Sequence, residues 1–482
     1  MRRSVPQLVK GLSVALVMTG AALAGASQPD EYDAIGRDAI AAFERGDYDA
    51  AQDAFRRQIV LRPDDFVPYY NLACALSMQG DGASAIEFVF VAFEKGFTDF
   101  GQLQRDPHLE AARATDRYAA LVERWNERVS SSFEARVEGL VEAMGRGYKA
   151  HPHEDLGITI VTDASRPLLD LATAQLRLAH EWGVETIFTD LRTPDDRDAP
   201  VIVFLPNDGH FRQWAVRTYG EAARSNFSQI GGWYSHDQKQ LTAIDLGATL
   251  QHEYFHALHW RHCTRLGQVH PFWIQEGLCS LIETWDPQGG RLTPAPSYRS
   301  NIAKRRLRAG RLMDLEDLAK ADQDEFIGSR RLTFYAEART FFLYLADRRK
   351  LGEWYARYTE TWREDRSGLD AVAHVCGTDL DEVQRDYRDW LADLPMVPEE
   401  IRSSTPSLGV SIDAGDGPGM LVTGERRRTA FRVGDRIIAL DGRPTFEAAE
   451  FVRLLSAARK GTTITVRISR RGTVIDVEAE LE

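Results

Sequence analysis

The stretch Gln251–His262, QHEYFHALHWRH, decides how the rest of the chain is read. Within it His252, Glu253 and His256 form an H-E-x-x-H pattern. Residues four apart share one face of a helix, so both imidazoles can reach a single metal ion. Zinc suits two neutral imidazoles, and Glu253 falls beside the open coordination position, where its carboxylate can take a proton from water. The plain alternative is an amphipathic helix with two partly buried histidines. A third ligand decides between them.

Two residues compete for that place. His262 has the metzincin spacing, but that class needs a glycine where this chain has His259, because the backbone must turn sharply out of the helix. Without a break, His262 lies about 9 Å along the axis from His256 and on another face. The second candidate is Glu276, in Phe272-Trp273-Ile274-Gln275-Glu276-Gly277-Leu278. That segment opens an apolar-periodic helical run through Ile282, with Pro271 just before it. Two facing helices, one giving His252 and His256 and the other Glu276, complete a His2Glu set with water in the fourth position.

H-E-x-x-H followed by W-x-x-E-G resembles the gluzincin metallopeptidases, over roughly Leu156–Leu391. The resemblance implies one zinc ion on His252, His256 and Glu276, with Glu253 as general base in peptide-bond hydrolysis. Zinc aminopeptidases carry, at a similar remove beyond the ligand glutamate, a tyrosine whose hydroxyl stabilises the oxyanion; here that position is Tyr335, which packing alone would also explain. In gluzincins an edge strand before the metal helix pairs with extended substrate, which makes Gly231, Gly232, Trp233 and Tyr234 the candidate substrate strand. The aminopeptidases also place an amine-holding glutamate in this region. None occurs between Gly231 and Asp245, so cleavage inside a chain is expected.

The rest of the sequence frames this centre. The 482 residues are 43% hydrophobic and 27% charged, as in globular proteins, and suffice for about three domains. A net charge of −13 without a long basic run argues against a nucleic-acid partner. Residues 1–26 read as a secretory signal: Arg2, Arg3 and Lys10, then the apolar Leu12–Ala24, then small residues. The expected location is periplasmic or extracellular, and no later segment reads as a membrane span. Export permits disulfides. Of Cys74, Cys263, Cys279 and Cys376, the second and third flank the proposed metal helices and could bridge them, while Cys74 reads as core.

Asp30–Phe97 repeats. Gly46, Tyr48, Ala51 and Phe55 recur in kind as Gly80, Gly82, Ala85 and Val89, an interval of 34 from Gly46 to Gly80. That is the tetratricopeptide period, and the segment resembles that repeat, with Pro63 closing the first unit and Asp106–Trp125 a capping piece. Ser131–Tyr148 reads helical, Gly157–Thr162 and Pro200–Pro206 as strands, and Leu168–Trp182 as an amphipathic helix. Past a Pro/Ser linker, Ser407-Leu408-Gly409-Val410 and Val433-Gly434-Asp435 resemble a PDZ domain of the bacterial protease-associated type. Leu408, Gly409 and Val410 would then grip a peptide carboxylate.

The expected architecture is a multidomain α+β protein. Its parts are tetratricopeptide-like helical hairpins (30–128), a gluzincin-like mixed α/β metallopeptidase domain (131–394), a linker (395–406) and a PDZ domain (407–482). Its partners would be peptide or protein substrates; the terminal modules would either bind further protein partners or serve as structural and spacer elements. A non-catalytic peptide-binding scaffold on the same fold is the competing class. Zinc content together with cleavage of a mixed-sequence protein separates the two.

Overall fold

The computed structural model describes residues 31–193, 195, 198–207, 210, 211, 213, 214, 231–415, 417–426 and 429–482. The predicted signal, residues 1–26, lies outside them. The chain forms two compact units. One comprises Met1–Thr162, Thr193–Thr242 and Trp260–Gly267; the other Asp163–Arg192, Ala243–His259 and Gln268–Glu482.

The first unit opens on the helices Glu31–Glu44, Tyr48–Leu61, Phe66–Met78 and Gly82–Glu94. Each pair turns on a Gly-Asp step. Gly46 (φ 79°) and Gly80 (φ 85°) take the left-handed conformation that glycine adopts without strain. The aspartates that follow cap the next helix: Asp47 accepts from the Ala50 amide at 3.2 Å and Asp81 from Ser84 at 2.9 Å. Ala39, Ala51, Ala73 and Ala85 are wholly buried, so their small side chains lie where helices meet. Cys74 is core, as expected, with its thiol 3.6 Å from Asp106.

After the short helices Phe100–Arg105, Glu110–Arg113 and Asp116–Glu123, a long helix begins and ends earlier than its sequence pattern suggests, running Trp125–Met144. Trp125 is buried in the core of the helical pairs, and Gly145 (φ 78°) stops the helix. A five-stranded mixed sheet follows: β1 (Lys149–His153), β2 (Ile158–Thr162), β3 (Val201–Leu205), β4 (Gly232–Ser235) and β5 (Gln240–Ala243), in the order β1-β2-β3-β5-β4. β1 is antiparallel to β2, whereas β2–β3 and β3–β5 are parallel. The uninterrupted apolar run VIVFL suits the central β3, which is buried throughout.

The second unit carries the helix Arg166–Thr186, the part of a donor helix Ala248–Leu266 that runs through His259, and a carboxylate helix Phe272–Leu281. A two-stranded ribbon, β6 (Trp285–Gln288) and β7 (Arg291–Pro294), precedes further helices that include the tyrosine helix Arg331–Asp347. A methyl group at Gly277 would lie 2.4 Å from the Phe342 ring, so the carboxylate and tyrosine helices approach as closely as they do only with glycine there. Among the described residues no helix is long and apolar enough to cross a membrane. Contrary to expectation, no disulfide joins Cys263 to Cys279; both are buried, Cys263 in the donor helix and Cys279 in the carboxylate helix.

The chain ends in a six-stranded sheet: β8 (Val410–Asp413), β9 (Met420–Glu425), β10 (Arg436–Leu440), β11 (Arg443–Pro444), β12 (Thr463–Arg470) and β13 (Thr473–Glu480). Its order is β13-β12-β10-β9-β8, with β11 on β10, and the helix Ala448–Ala457 adds Phe451 and Leu455 to the core. Asp435 is the buried pivot. It accepts from the Arg432 amide at 2.7 Å and from the Arg470 guanidinium at 2.8 and 2.7 Å. Gly409 has φ 73°, Leu408 and Val410 are buried, and β8 is an edge strand.

Candidate metal centre

Four residues of separation on the donor helix stack His252 above His256, with Nε2 atoms 3.2 Å apart. The carboxylate helix brings Glu276 Oε2 to 3.2 Å from His252 Nε2 and 3.5 Å from His256 Nε2. A tetrahedral ion with bonds of about 2.0–2.2 Å holds its donors about 3.3–3.5 Å apart. The triangle therefore has the size of one face of a zinc tetrahedron. Donor chemistry fits as well: two imidazoles and one carboxylate, all three residues buried. The donor helix runs unbroken to Leu266, so the turn that His262 would need is not made, and the cluster forms without it.

His252 is aimed by a partner that sequence inspection overlooked. Its Nδ1 lies 3.0 Å from Glu283 Oε1, and Arg299 grips Glu283 with two bonds of 2.6 and 2.9 Å. Glu283 lies just past the end of the carboxylate helix, which stops at Leu281. Arg299 enters from the next helix, Tyr298–Arg308, and no local pattern marks it. A carboxylate behind a ligating imidazole fixes both its tautomer and its ring angle.

The electrostatics call for positive charge at the donor triangle. Burial opposes ionisation of Glu276, yet His256 and His252 hold its carboxyl well below the usual range. Burial likewise opposes Glu283, which Arg299 and His252 hold down to about 2. His252 responds in the opposite sense. Burial disfavours its charge, but Glu276 and Glu283 lift it to about 10. A proton there satisfies the two carboxylates, and a divalent cation would satisfy them at the same place. Glu253 is buried beside its neighbours, and burial raises its carboxyl against the pull of His252 and His256, a shift in the direction that suits a base near neutrality.

Tyr335 also reaches the cluster. Its ring lies 6.0 Å from that of His252, and the Arg299 guanidinium sits 5.1 Å over it. Burial first, and Glu276 next, push its phenol well above the ordinary value. Gly232–Ser235 forms the sheet-edge strand β4, with Gly231 just before it. Trp233 and Tyr234 are buried, so that edge presents backbone rather than its two aromatic side chains.

Residues 399–481 match the family model described as PDZ domain, and the C-terminal module is a PDZ domain. Among solved structures the chain is similar to an HtrA-type protease AlgW with decapeptide, at 19% identity and TM-score 0.15, over 21% of this chain and 33% of that one. It is also similar to an aminopeptidase N family protein from Idiomarina loihiensis, at 14% identity and TM-score 0.28, over 70% of this chain and 66% of that one. The chain thus spans about a third of the length of the first and just under two thirds of the second. No curated protein matches the sequence.

Proposed function

We propose that this chain is an exported, zinc-dependent peptidase that hydrolyses peptide bonds within protein substrates. The observation that carries the reading is the donor triangle of His252, His256 and Glu276, with sides of 3.2, 3.2 and 3.5 Å. Bound zinc supplies a Lewis acid that polarises the scissile carbonyl and acidifies water. Glu253 accepts the water's proton as the nucleophile forms and hands it to the departing amine. The Tyr335 hydroxyl donates to the oxyanion of the tetrahedral intermediate. Glu283, held by Arg299, keeps His252 Nε2 turned toward the triangle.

In this reading the tetratricopeptide-like hairpins and the PDZ domain bind protein partners or peptide ends, and β4 offers backbone pairing to an extended substrate. Metal analysis of the purified chain, with cleavage of a mixed-sequence protein such as casein, tests it. One zinc per chain with cleavage supports the peptidase. Zinc without cleavage favours the peptide-binding scaffold, and no zinc removes the metal centre altogether.

A further inference from the structure

The PDZ domain reaches the start of the donor helix. Glu447 immediately precedes the PDZ helix Ala448–Ala457 but does not cap it. Its Oε1 instead accepts from the amide of Ala248, the first residue of the donor helix, at 2.5 Å. Asp245 completes the cap, accepting from the amides of Gly247 at 2.8 Å and Thr249 at 3.2 Å. The first amides of a helix have no partner within it, so a side-chain oxygen there fixes where the helix begins. Ala248 stands one turn before His252 on the same face.

Neighbouring contacts tie the PDZ domain to the segment just after Glu283. Arg443 and Arg453 of the PDZ domain both pair with Asp286, at 2.6 and 3.0 Å, and both bond the Trp285 carbonyl, three and two residues after Glu283. Glu450 neutralises the same two guanidiniums at 3.1 and 2.7 Å. A polar cavity of about 20 Å³ lies between, and Glu283 and Glu447 both line it. Gly247 leaves the space into which Glu447 fits, because a methyl group there would stand 2.1 Å from its carboxyl oxygen.

We propose that Glu447 is a positioning residue of the metal centre, and that the PDZ domain is therefore a working part of that centre rather than only a tethered recruiting module. This rests on the metal reading of His252, His256 and Glu276. A carboxyl from outside the metal-binding helices sets the first turn of the donor helix, and with it the height and rotation of His252 and Glu253.

The test uses the full-length protein, with hydrogen exchange at the Ala248 amide and the visible spectrum of the Co²⁺-loaded chain. In Glu447→Ala the amide is expected to exchange about tenfold faster, the equivalent of one lost cap. The cobalt bands should shift and cobalt should bind more weakly. Glu447→Gln keeps an accepting oxygen and should restore both signals. Gly247→Ala should mimic Glu447→Ala, since its methyl displaces the carboxyl; this variant decides the matter if Glu447→Ala does not fold. Parental exchange and a parental spectrum in Glu447→Ala or Gly247→Ala would overturn the proposal. A parent chain that takes up no cobalt would sink the metal reading, while amide exchange would still report whether the cap exists.

Discussion

Asp435 in the PDZ domain and Glu276 in the candidate metal centre are both buried carboxylates, and their surroundings differ in kind. Asp435 faces Arg470, a cation at every accessible pH, together with the Arg432 amide. Glu276 faces two imidazoles, whose charge is conditional. A carboxylate with a permanent cation needs nothing more and serves the fold. One whose cationic partners are imidazoles only leaves a place for an ion to take. Glu283 combines the two cases, since its Arg299 side is fixed and its His252 side is not.

The sharpest way to break this contrast is at Glu253. Glu253→Gln should lose about a thousandfold in turnover while keeping its zinc, read from protein hydrolysis and metal content together. Full activity in that variant would remove the general base. Next comes Glu276→Ala, whose zinc affinity should fall further than the roughly 10–100-fold typical of losing an outer partner, whereas His262→Ala should stay near the parent. The reverse ranking by competitive chelation would revive the longer histidine motif. Arg299→Ala should lower zinc affinity by about 10–100-fold through a misdirected His252, with Glu283→Gln close behind.

The permanent pair gives the smaller effects. Arg470→Ala should cost about 2 kcal/mol of PDZ stability by denaturant unfolding, with zinc stoichiometry at saturating metal unchanged; loss of zinc there would blur the distinction. The pH dependence of the same pair is gentler still. Burial opposes the charge of Asp435, but Arg470 holds its carboxyl below the ordinary 3.8. Its stabilising contribution is complete above the unfolded value and declines only as the pH falls through the folded one. A PDZ domain that melts progressively between pH 7 and 5 would contradict this.

The donor residues were legible because helix periodicity alone places His252 over His256, and Pro271 marks where a second helix opens before Glu276. Glu283 was not legible, because it lies past the end of the carboxylate helix and only the fold shows that it meets His252. Arg299 and Glu447 were not legible, since a separate helix and a separate module deliver them. Helix limits slipped where packing overrode pattern. Trp125 starts its helix because its ring is buried among Phe93, Phe97 and Phe100, which no local periodicity reveals. The thiols of Cys263 and Cys279 show the converse, because nearness to the metal helices along the chain says nothing about where side chains point.

Gly277 has a meaning beyond its missing side chain. Helix axes usually pass 8–10 Å apart, a spacing set by the bulk between them. With nothing but hydrogen against the Phe342 ring, the neighbouring Glu276 is carried on a rod pressed to its stop. A single added carbon would act as a shim under that rod, moving the carboxylate by a distance comparable to the tolerance of a coordination bond. The smallest residue in the segment thereby works as the gauge that sets the depth of the largest charge.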